Sequence, residues 1–451
     1  MKIHLIAIGG SAMHNLAIAL HKKGFSVSGS DDEIIEPSRS RLSAYGLLPG
    51  KLGWDAANIY PDLDAVILGM HARNDNPELL KARELGLKIY SYPEYIYEQT
   101  KNKSRVVIGG SHGKTTITAM ILHVLHFHKI DCDYLVGAQL EGFDTMVKLS
   151  QETTIAVIEG DEYLSSPIDR RPKFHLYRPD IAVVSGIAWD HINVFPTFEN
   201  YSEQFKIFID LINPTGTLIY CSVDPEVKKL AERTENPIRK LSYGIPEYKI
   251  ADGKTILIQA GIPLLIFGEH NLMNLNGARL VCNELKITDE QFYLAIQSFS
   301  GAAKRLELVA KNERSAFYKD FAHSPSKLRA TTAALKRQFP DRKLIACMEL
   351  HTFSSLNEEF LNQYKNSMEL ADEAIVYFNP HTIEHKKLKS IHPEQVKAAF
   401  GSSNISVYTN STDLISELKN KDWKNSNLLM MSSGNFDGVD FKKLAKEIGL
   451  V

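Results

Sequence analysis

The stretch Arg105–Met120, RVVIGGSHGKTTITAM, limits the fold more than any other part of the chain. A β-branched apolar run, Val106-Val107-Ile108, enters a turn made of Gly109, Gly110, Ser111 and Gly113. Lys114, Thr115 and Thr116 follow, and Ile117, Met120, Ile121 and Val124 then recur at helical spacing. Strand, glycine turn and helix in that order are the setting of a phosphate-cradling loop. Glycine lets backbone N–H groups converge on phosphate oxygens, and the helix start adds the positive end of its dipole. In such a loop Lys114 reaches the β- and γ-phosphates, and the Thr115 hydroxyl meets Mg2+. The common pattern has a glycine five residues before Gly113, where this chain has Ile108, so the match is to a shortened form. The stretch reads as an ATP site.

A chain of 451 residues is too long for one core and suggests about three domains of about 150 residues each. With a formal net charge of −2, nothing marks a nucleic-acid or membrane-surface binder, and neither partner is expected. Cys132, Cys221, Cys282 and Cys347 fit neither a zinc pattern nor a disulfide framework. The opening MKIHLIAIGG runs straight into a strand without a cleavage-type segment, and no apolar span of about 18 residues occurs. The expectation is a cytoplasmic protein, a monomer or weak dimer.

Taken in order, residues 3–8 read as a buried strand, Gly9-Gly10-Ser11 as a turn, and Ala12–Lys22 as a helix that includes Met13. Asp31 lies about twenty residues beyond the turn, as in nucleotide-binding βαβ units. Only Gly9 of the three GxGxxG glycines is present, so the turn suits a nucleotide phosphate better than NAD. Further units follow: a strand at Ala65–Gly69, a helix at Asn76–Leu85, and a strand at Lys88–Ser91. The polar run Gln99–Ser104 reads as a linker, which ends a first domain at residue 103.

In the second domain, 104–307, the strand Thr154–Ile158 ends in Glu159-Gly160-Asp161-Glu162, either a Mg2+-holding edge or a solvated acidic turn. The strand Ile181–Ser185 leads to Asp190-His191 at the same sheet edge. Gly268-Glu269-His270-Asn271-Leu272-Met273-Asn274 opens a predicted helix at Leu275–Glu284, with asparagines suited to capping or to reading an adenine edge. Arg305, in Lys304–Glu307, could grip a phosphate or form a surface ion pair. The third domain, 308–451, alternates strands and helices again, including a predicted helix over Asn357–Glu369. Asp320, His323, His351 and the turn Ser432–Asn435 fall beyond its strand ends.

Together these motifs resemble the Mur ligases of peptidoglycan synthesis over essentially the whole chain. GGSHGKTT (109–116) resembles the family's phosphate loop, which implies ATP contacts at Gly110, Ser111, Gly113, Lys114, Thr115 and Thr116. Glu159 and the histidine of Asp190-His191 resemble the family's two Mg2+ ligands, with Thr115 beside the first. His270, Asn271 and Asn274 match the adenine-contacting motif, Arg305 the γ-phosphate arginine, and Asp320 the aspartate on the ATP ribose. The resemblance implies a three-domain α/β architecture: a Rossmann-like UDP-binding domain, a central P-loop ATPase domain and a C-terminal Rossmann-like acceptor domain. It places UDP-N-acetylmuramate near Gly9, Gly10, Ser11, Met13 and Asp31.

Within the family, Gly160–Phe174 and MMSSGNFDGV (430–439) resemble the branch that attaches a ready-made murein tripeptide, L-Ala-γ-D-Glu-meso-diaminopimelate, used in peptidoglycan recycling. The branch that adds L-alanine has a PHRxTR stretch; here Leu350-His351-Thr352-Phe353-Ser354-Ser355 has no arginine, and the resemblance implies that His351 belongs to the acceptor wall. His323-Ser324-Pro325 stands where the family has HHP, which makes His323 the candidate for the acceptor amine. Lys206 stands at about the spacing of a lysine carbamylated in several members, though not generally in this branch. The implied chemistry is ATP- and Mg2+-dependent amide formation through an acyl phosphate, with Lys114, Glu159, His191, Arg305 and His323 as catalytic residues. A nicotinamide dehydrogenase is disfavoured by the broken glycine fingerprint, and a non-catalytic nucleotide sensor by the full set of ATP residues.

Overall fold

The computed structural model describes residues 1–140, 142–190, 194–302, 305–401 and 404–450. The chain forms two compact units, each built on two sheets. One unit comprises Met1–Trp189, Pro196–Gly244 and Gly277–Phe292; the other comprises Asp190–Phe195, Ile245–Asn276 and Tyr293–Val451.

The first unit opens with β1 (Lys2–Ile6), β2 (Ser26–Ser30), β3 (Ala65–Leu68) and β4 (Ile89–Ser91), all parallel in the order β2-β1-β3-β4. Residues 3–6 of β1 and all of β3 are buried, as a parallel sheet covered on both faces requires. Chain order reverses between β1 and β3, so the crevice at their carboxyl ends is a place for ligands. The helix after β1 covers Ser11–Lys22. The predicted helix at Asn76–Leu85 forms as Pro77–Glu84, with the Asn76 side chain accepting the N–H groups of Glu78 and Leu79.

The second sheet contains β5 (Ser104–Gly109), β6 (Asp133–Leu135), β7 (Val147–Lys148), β8 (Ile155–Glu159), β9 (Ile181–Val184), β10 (Thr217–Cys221) and β11 (Arg239–Tyr243). Its order is β11-β10-β9-β5-β8-β6-β7, and only β7 is antiparallel. β5 therefore lies between β8 and β9, with Ile108 opposite Glu159 and Gly109 opposite Val184. Strand ends carrying acids and the phosphate turn share one edge for that reason.

Gln99–Ser104 is not a loose linker. The helix Tyr92–Thr100 runs through Gln99, and β5 begins at Ser104. Arg105, 7% exposed, donates to the carbonyls of Thr100, Lys101, Lys103, Tyr177 and Arg178 and pairs with Asp180 at 3.1 Å. A guanidinium with five fixed donors closes the junction that composition alone makes look open.

In the second unit β12 (Tyr248–Ala251), β13 (Lys254–Leu257) and β14 (Ile262–Leu264) form an antiparallel sheet. β15 (Glu307–Lys311), β16 (Ala316–Asp320), β17 (Lys343–Glu349), β18 (Glu373–Tyr377), β19 (Ile405–Tyr408) and β20 (Ser426–Met431) form the other, ordered β15-β16-β20-β17-β18-β19. Alternate residues of these strands feed two buried clusters, one on each face. The small sheet is tied to the larger one: Gln338 bonds the Thr255 hydroxyl at 2.9 Å and the Gly253 carbonyl at 2.8 Å.

Two expectations need correction here. The predicted helix over Asn357–Glu369 stops early, as Glu358–Leu361 followed by a 3-10 turn at Asn362–Tyr364. Asn366 adopts a left-handed φ of 58°, which ends helical propagation while Tyr364 and Met368 still reach the core. The helix predicted at Leu275 begins six residues earlier, at Glu269, so the GEHNLMN motif is its first turns rather than its lead-in. No helix among the described residues is long and apolar enough to cross a membrane.

Candidate active site

The phosphate loop forms as its glycines require. Gly113 takes φ 82° to start the helix Lys114–Phe127, and no side chain caps that start, which leaves amides for an anion. The Ser111 amide donates to the Gly186 carbonyl at 2.9 Å, and its hydroxyl accepts the Ala188 N–H at 2.8 Å. Ser111 thus braces the loop against the end of β9, and Thr116 is buried one residue beyond Thr115. The Lys114 ammonium rests 2.6 Å from the Gly110 carbonyl and 2.5 Å from Glu162. Burial works against its charge, but Glu162, Asp161 and Glu159 outweigh that and hold its pKa above the ordinary lysine value.

The acidic turn after β8 divides its labour. Glu159 accepts the Thr115 hydroxyl at 2.8 Å and the Gly137 N–H at 2.7 Å. A side chain on Gly137 would start 2.6 Å from the Glu159 carboxylate, so only glycine lets that amide reach it. Burial raises the Glu159 pKa, with those hydrogen bonds opposing it. Glu162 pairs with Lys114 and takes the Tyr201 hydroxyl at 3.2 Å, while Asp161 pairs with Lys173 at 2.5 Å. Sequence reading treated these acids as one group; their separation depends on Gly137 and Lys173, which no local motif marks.

At the first sheet, Asp31 turns inward and accepts the Gly9 N–H at 2.7 Å, closing the turn rather than facing out. Burial raises its pKa. Gly10 precedes the helix and no side chain caps it; Ser11 is exposed and Met13 is buried. The sequence reading missed His71, whose Nδ1 lies 3.8 Å from where a side chain on Gly10 would begin. Its signal was its place after β3, across the crevice from the Gly9-Gly10 turn.

In the second unit, Asn271 and Asn274 are buried on the first turns of the helix Glu269–Glu284, and the Asn271 amide donates to the Phe267 carbonyl at 2.9 Å. His270 immediately precedes Asn271 on that helix. Asp320 ends β16 and accepts the N–H groups of Leu306 at 2.7 Å and Ala322 at 2.6 Å. Burial raises its pKa, and the nearby Arg305 opposes the rise. The Arg305 guanidinium lies 5.2 Å from the Phe321 ring centroid. His323 faces the Phe321 carbonyl through Nδ1 at 2.8 Å, which makes Nδ1 the donor and Nε2 the acceptor. Burial and Lys327 push its pKa down to about 3, so the imidazole is neutral at ordinary pH. His351 Nδ1 lies 3.6 Å from Glu349. Lys206 is exposed and pairs with Glu203 at 3.0 Å. His191 and Lys304 lie outside the described residues.

Among the described residues no three His, Cys, Asp or Glu side chains gather closely enough to hold a metal alone. Mg2+ binds through one or two protein oxygens and fills its shell with phosphate oxygens and water, so single oxygen donors are enough for its site. Thr115 and the buried, hydrogen-bonded Glu159 carboxylate are such a pair.

Three family models match the chain: "Mur ligase family, catalytic domain" over residues 2–104, "Mur ligase middle domain" over 108–282, and "Mur ligase, glutamate ligase domain" over 304–434. A UDP-N-acetylmuramate--L-alanine ligase of Paenarthrobacter aurescens is 31% identical, covering 83% of this chain and 82% of the relative. Among solved structures, a murein peptide ligase from Psychrobacter arcticus superposes with a TM-score of 0.66 at 23% identity, covering 100% of this chain and 99% of that one. A UDP-N-acetylmuramate:L-alanyl-gamma-D-glutamyl-meso-diaminopimelate ligase from Neisseria meningitides gives 0.58 at 25% identity, over 66% and 98%. The chain belongs to the Mur ligase family, whose members are ATP-dependent ligases that form amide bonds.

Proposed function

We propose that this ligase joins UDP-N-acetylmuramate to the tripeptide L-Ala-γ-D-Glu-meso-diaminopimelate, the recycling reaction of the murein peptide ligases. The observation that carries the acceptor choice is the end of β17. Glu349-Leu350-His351-Thr352-Phe353 offers one histidine and no arginine where the alanine-adding branch has two. A small amino acid needs a tight carboxylate grip, whereas a tripeptide has several carboxylates to spread over a wider wall. Identity to the alanine ligase of Paenarthrobacter aurescens favours a second reading, with L-alanine as acceptor.

In the proposed reaction the lactyl carboxylate of UDP-N-acetylmuramate attacks the γ-phosphorus of ATP, giving an acyl phosphate and ADP. The peptide amine then adds to the acyl carbon, and phosphate leaves from the tetrahedral intermediate. Phosphorylation is needed because a carboxylate repels an amine and has no leaving group. Lys114 is preorganised for the transferring phosphoryl, since Glu162 and the Gly110 carbonyl already fix its ammonium. Thr115, Glu159 and, by resemblance, His191 would hold Mg2+, which would neutralise charge on the transferring phosphoryl. By its resemblance to the family's γ-phosphate arginine, Arg305 would add a second positive group. Neutral His323 offers Nε2 to the attacking amine. Domain bounds of 1–103, 104–307 and 308–451, for sugar nucleotide, ATP and acceptor, go with this scheme, as does a cytoplasmic monomer or weak dimer.

The test is phosphate release with ATP, Mg2+ and UDP-N-acetylmuramate, comparing the tripeptide with L-alanine. Release with the tripeptide alone is expected. Release with alanine and none with the tripeptide overturns the acceptor assignment.

A further inference from the structure

The loop after β20 is held in a conformation its sequence does not favour. Phe436 and Asp437 adopt φ values of 52° and 58°, the left-handed region that side chains resist. Strain of this kind persists only where the surroundings over-determine it. Here the restraint comes from the carboxyl ends of β17 and β18. Glu349, 2% exposed, accepts the Ser432 hydroxyl and the Phe436 N–H, the latter at 2.9 Å. Tyr377 and Asn379 both donate to Asp437, Asn379 at 2.8 Å, and Phe436 is fully buried with its ring stacked on Tyr377.

The same carboxylate faces His351. Its second oxygen lies 3.6 Å from His351 Nδ1, and the imidazole packs on the backbone of Gly434. A side chain on Gly434 would start 2.8 Å from Glu349 and 2.9 Å from His351 Cγ, so the glycine is a condition of that packing. Nδ1 turned to the carboxylate leaves Nε2 on the far side of a ring whose side chain is 39% exposed. The Ser433 hydroxyl, buried and without a hydrogen-bond partner, belongs to the same loop. A buried carboxylate behind a half-exposed imidazole fixes its orientation with Nε2 outward, so that a ring donating from both nitrogens would bridge Glu349 to an anionic partner in front of it.

We propose that Glu349 is a positioning residue for acceptor selection. It locks the loop Ser432–Gly438 and aims His351 at a carboxylate of the incoming acceptor. The proposal rests on the ligase reading above and adds a specificity mechanism to it. It does not depend on which acceptor is used, because tripeptide and alanine both carry a carboxylate.

The experiment is a cycle between enzyme and acceptor. Wild type, His351→Gln and Glu349→Gln are each assayed by phosphate release with the tripeptide and with tripeptides amidated at one carboxylate at a time. The same enzymes are assayed with L-alanine against L-alaninamide. For wild type, one amidation costs about 10- to 100-fold in kcat/KM, the range of one charge-assisted hydrogen bond. His351→Gln loses that discrimination, so acid and amide become equivalent. Glu349→Gln raises the acceptor KM and shrinks the discrimination, while the KM values for ATP and UDP-N-acetylmuramate stay put. Undiminished discrimination in both variants overturns the proposal. Turnover of alanine alone overturns the peptide reading, and the alanine arm then decides the role of Glu349 and His351 by the same criterion. Circular dichroism of Glu349→Gln separates a misfolded variant from a repositioned loop, and His351→Gln, at a half-exposed position, carries the test if Glu349→Gln fails to fold.

Discussion

Three residues carry the sharpest expectations at the residue scale. Lys114→Ala removes a cation fixed by Glu162 and the Gly110 carbonyl, and kcat should fall about 10²- to 10³-fold, as for other preorganised charge stabilisers. Steady-state phosphate release measures this, and turnover near the wild-type rate would remove Lys114 from the ATP site. Gly137→Ala places a methyl against Glu159, so the Mg2+ concentration needed for half-maximal rate should rise several-fold while secondary structure is retained. His323 is the third. Its pKa of about 3 leaves the ring uncharged across the working range, so its NMR ring-proton shifts should be flat between about pH 5 and pH 9. A midpoint near neutrality would show the imidazole to be far more solvated than its packing implies.

At the scale of elements, the first sheet depends on a buried glutamate that no motif announces. Glu78, fully buried at the start of the helix Pro77–Glu84, lies 3.3 Å from His4 Nε2 on β1. It also takes the Asp55 N–H at 3.0 Å, the Asn58 amide at 2.8 Å and the Ser30 hydroxyl on β2. Glu78→Ala strands those donors, and the expected loss is about 3–5 kcal/mol, read by denaturant unfolding. Burial alone would raise the Glu78 pKa, but His4, Ser30, Asp55 and Asn58 outweigh it and hold the pKa below the ordinary glutamate value. A depressed folded-state pKa contributes stability above the unfolded value that is lost as pH falls through the folded one. His323 acts in the same direction, since its folded pKa lies below its unfolded one. Stability should therefore decline on acidification below about pH 6.5, through His323 first and Glu78 next. Secondary structure was legible where periodicity is strong, as in β1, β3, β9 and the helices after the two glycine turns. The strands β11, β15 and β19 escaped because short edge strands such as RKLSY carry mixed polar faces with no clean alternation.

For the whole molecule, the ligand side gives the expectation. A ligand that binds only the folded state stabilises it by about 2.7 kcal/mol at one hundred times its Kd. ATP with Mg2+ should accordingly raise the Tm of the wild type, and the shift should largely vanish in Lys114→Ala. An equal shift in both would place nucleotide elsewhere. The division into two units was not legible in sequence. Composition suggested consecutive blocks, yet residues 245–276 cluster with the second unit, where Gln338 and Phe339 at the end of a distant helix bind that segment.

The chain's own order of residues determined the phosphate loop, the alternation of strands and helices, and the family. These are local patterns, written in neighbouring side chains by the geometry of helix, strand and turn. The sequence alone also named Glu159, Asp31, Asp320 and His351, but not what each would face. Only the tertiary structure decided that Asp31 caps Gly9, that Glu162 holds Lys114 while Glu159 turns to Thr115 and Gly137, and that Glu349 governs a loop more than eighty residues away. Those pairings are set by sheet order and register. In a parallel sheet strands distant in sequence become neighbours, and buried polar groups must then find partners across that distance.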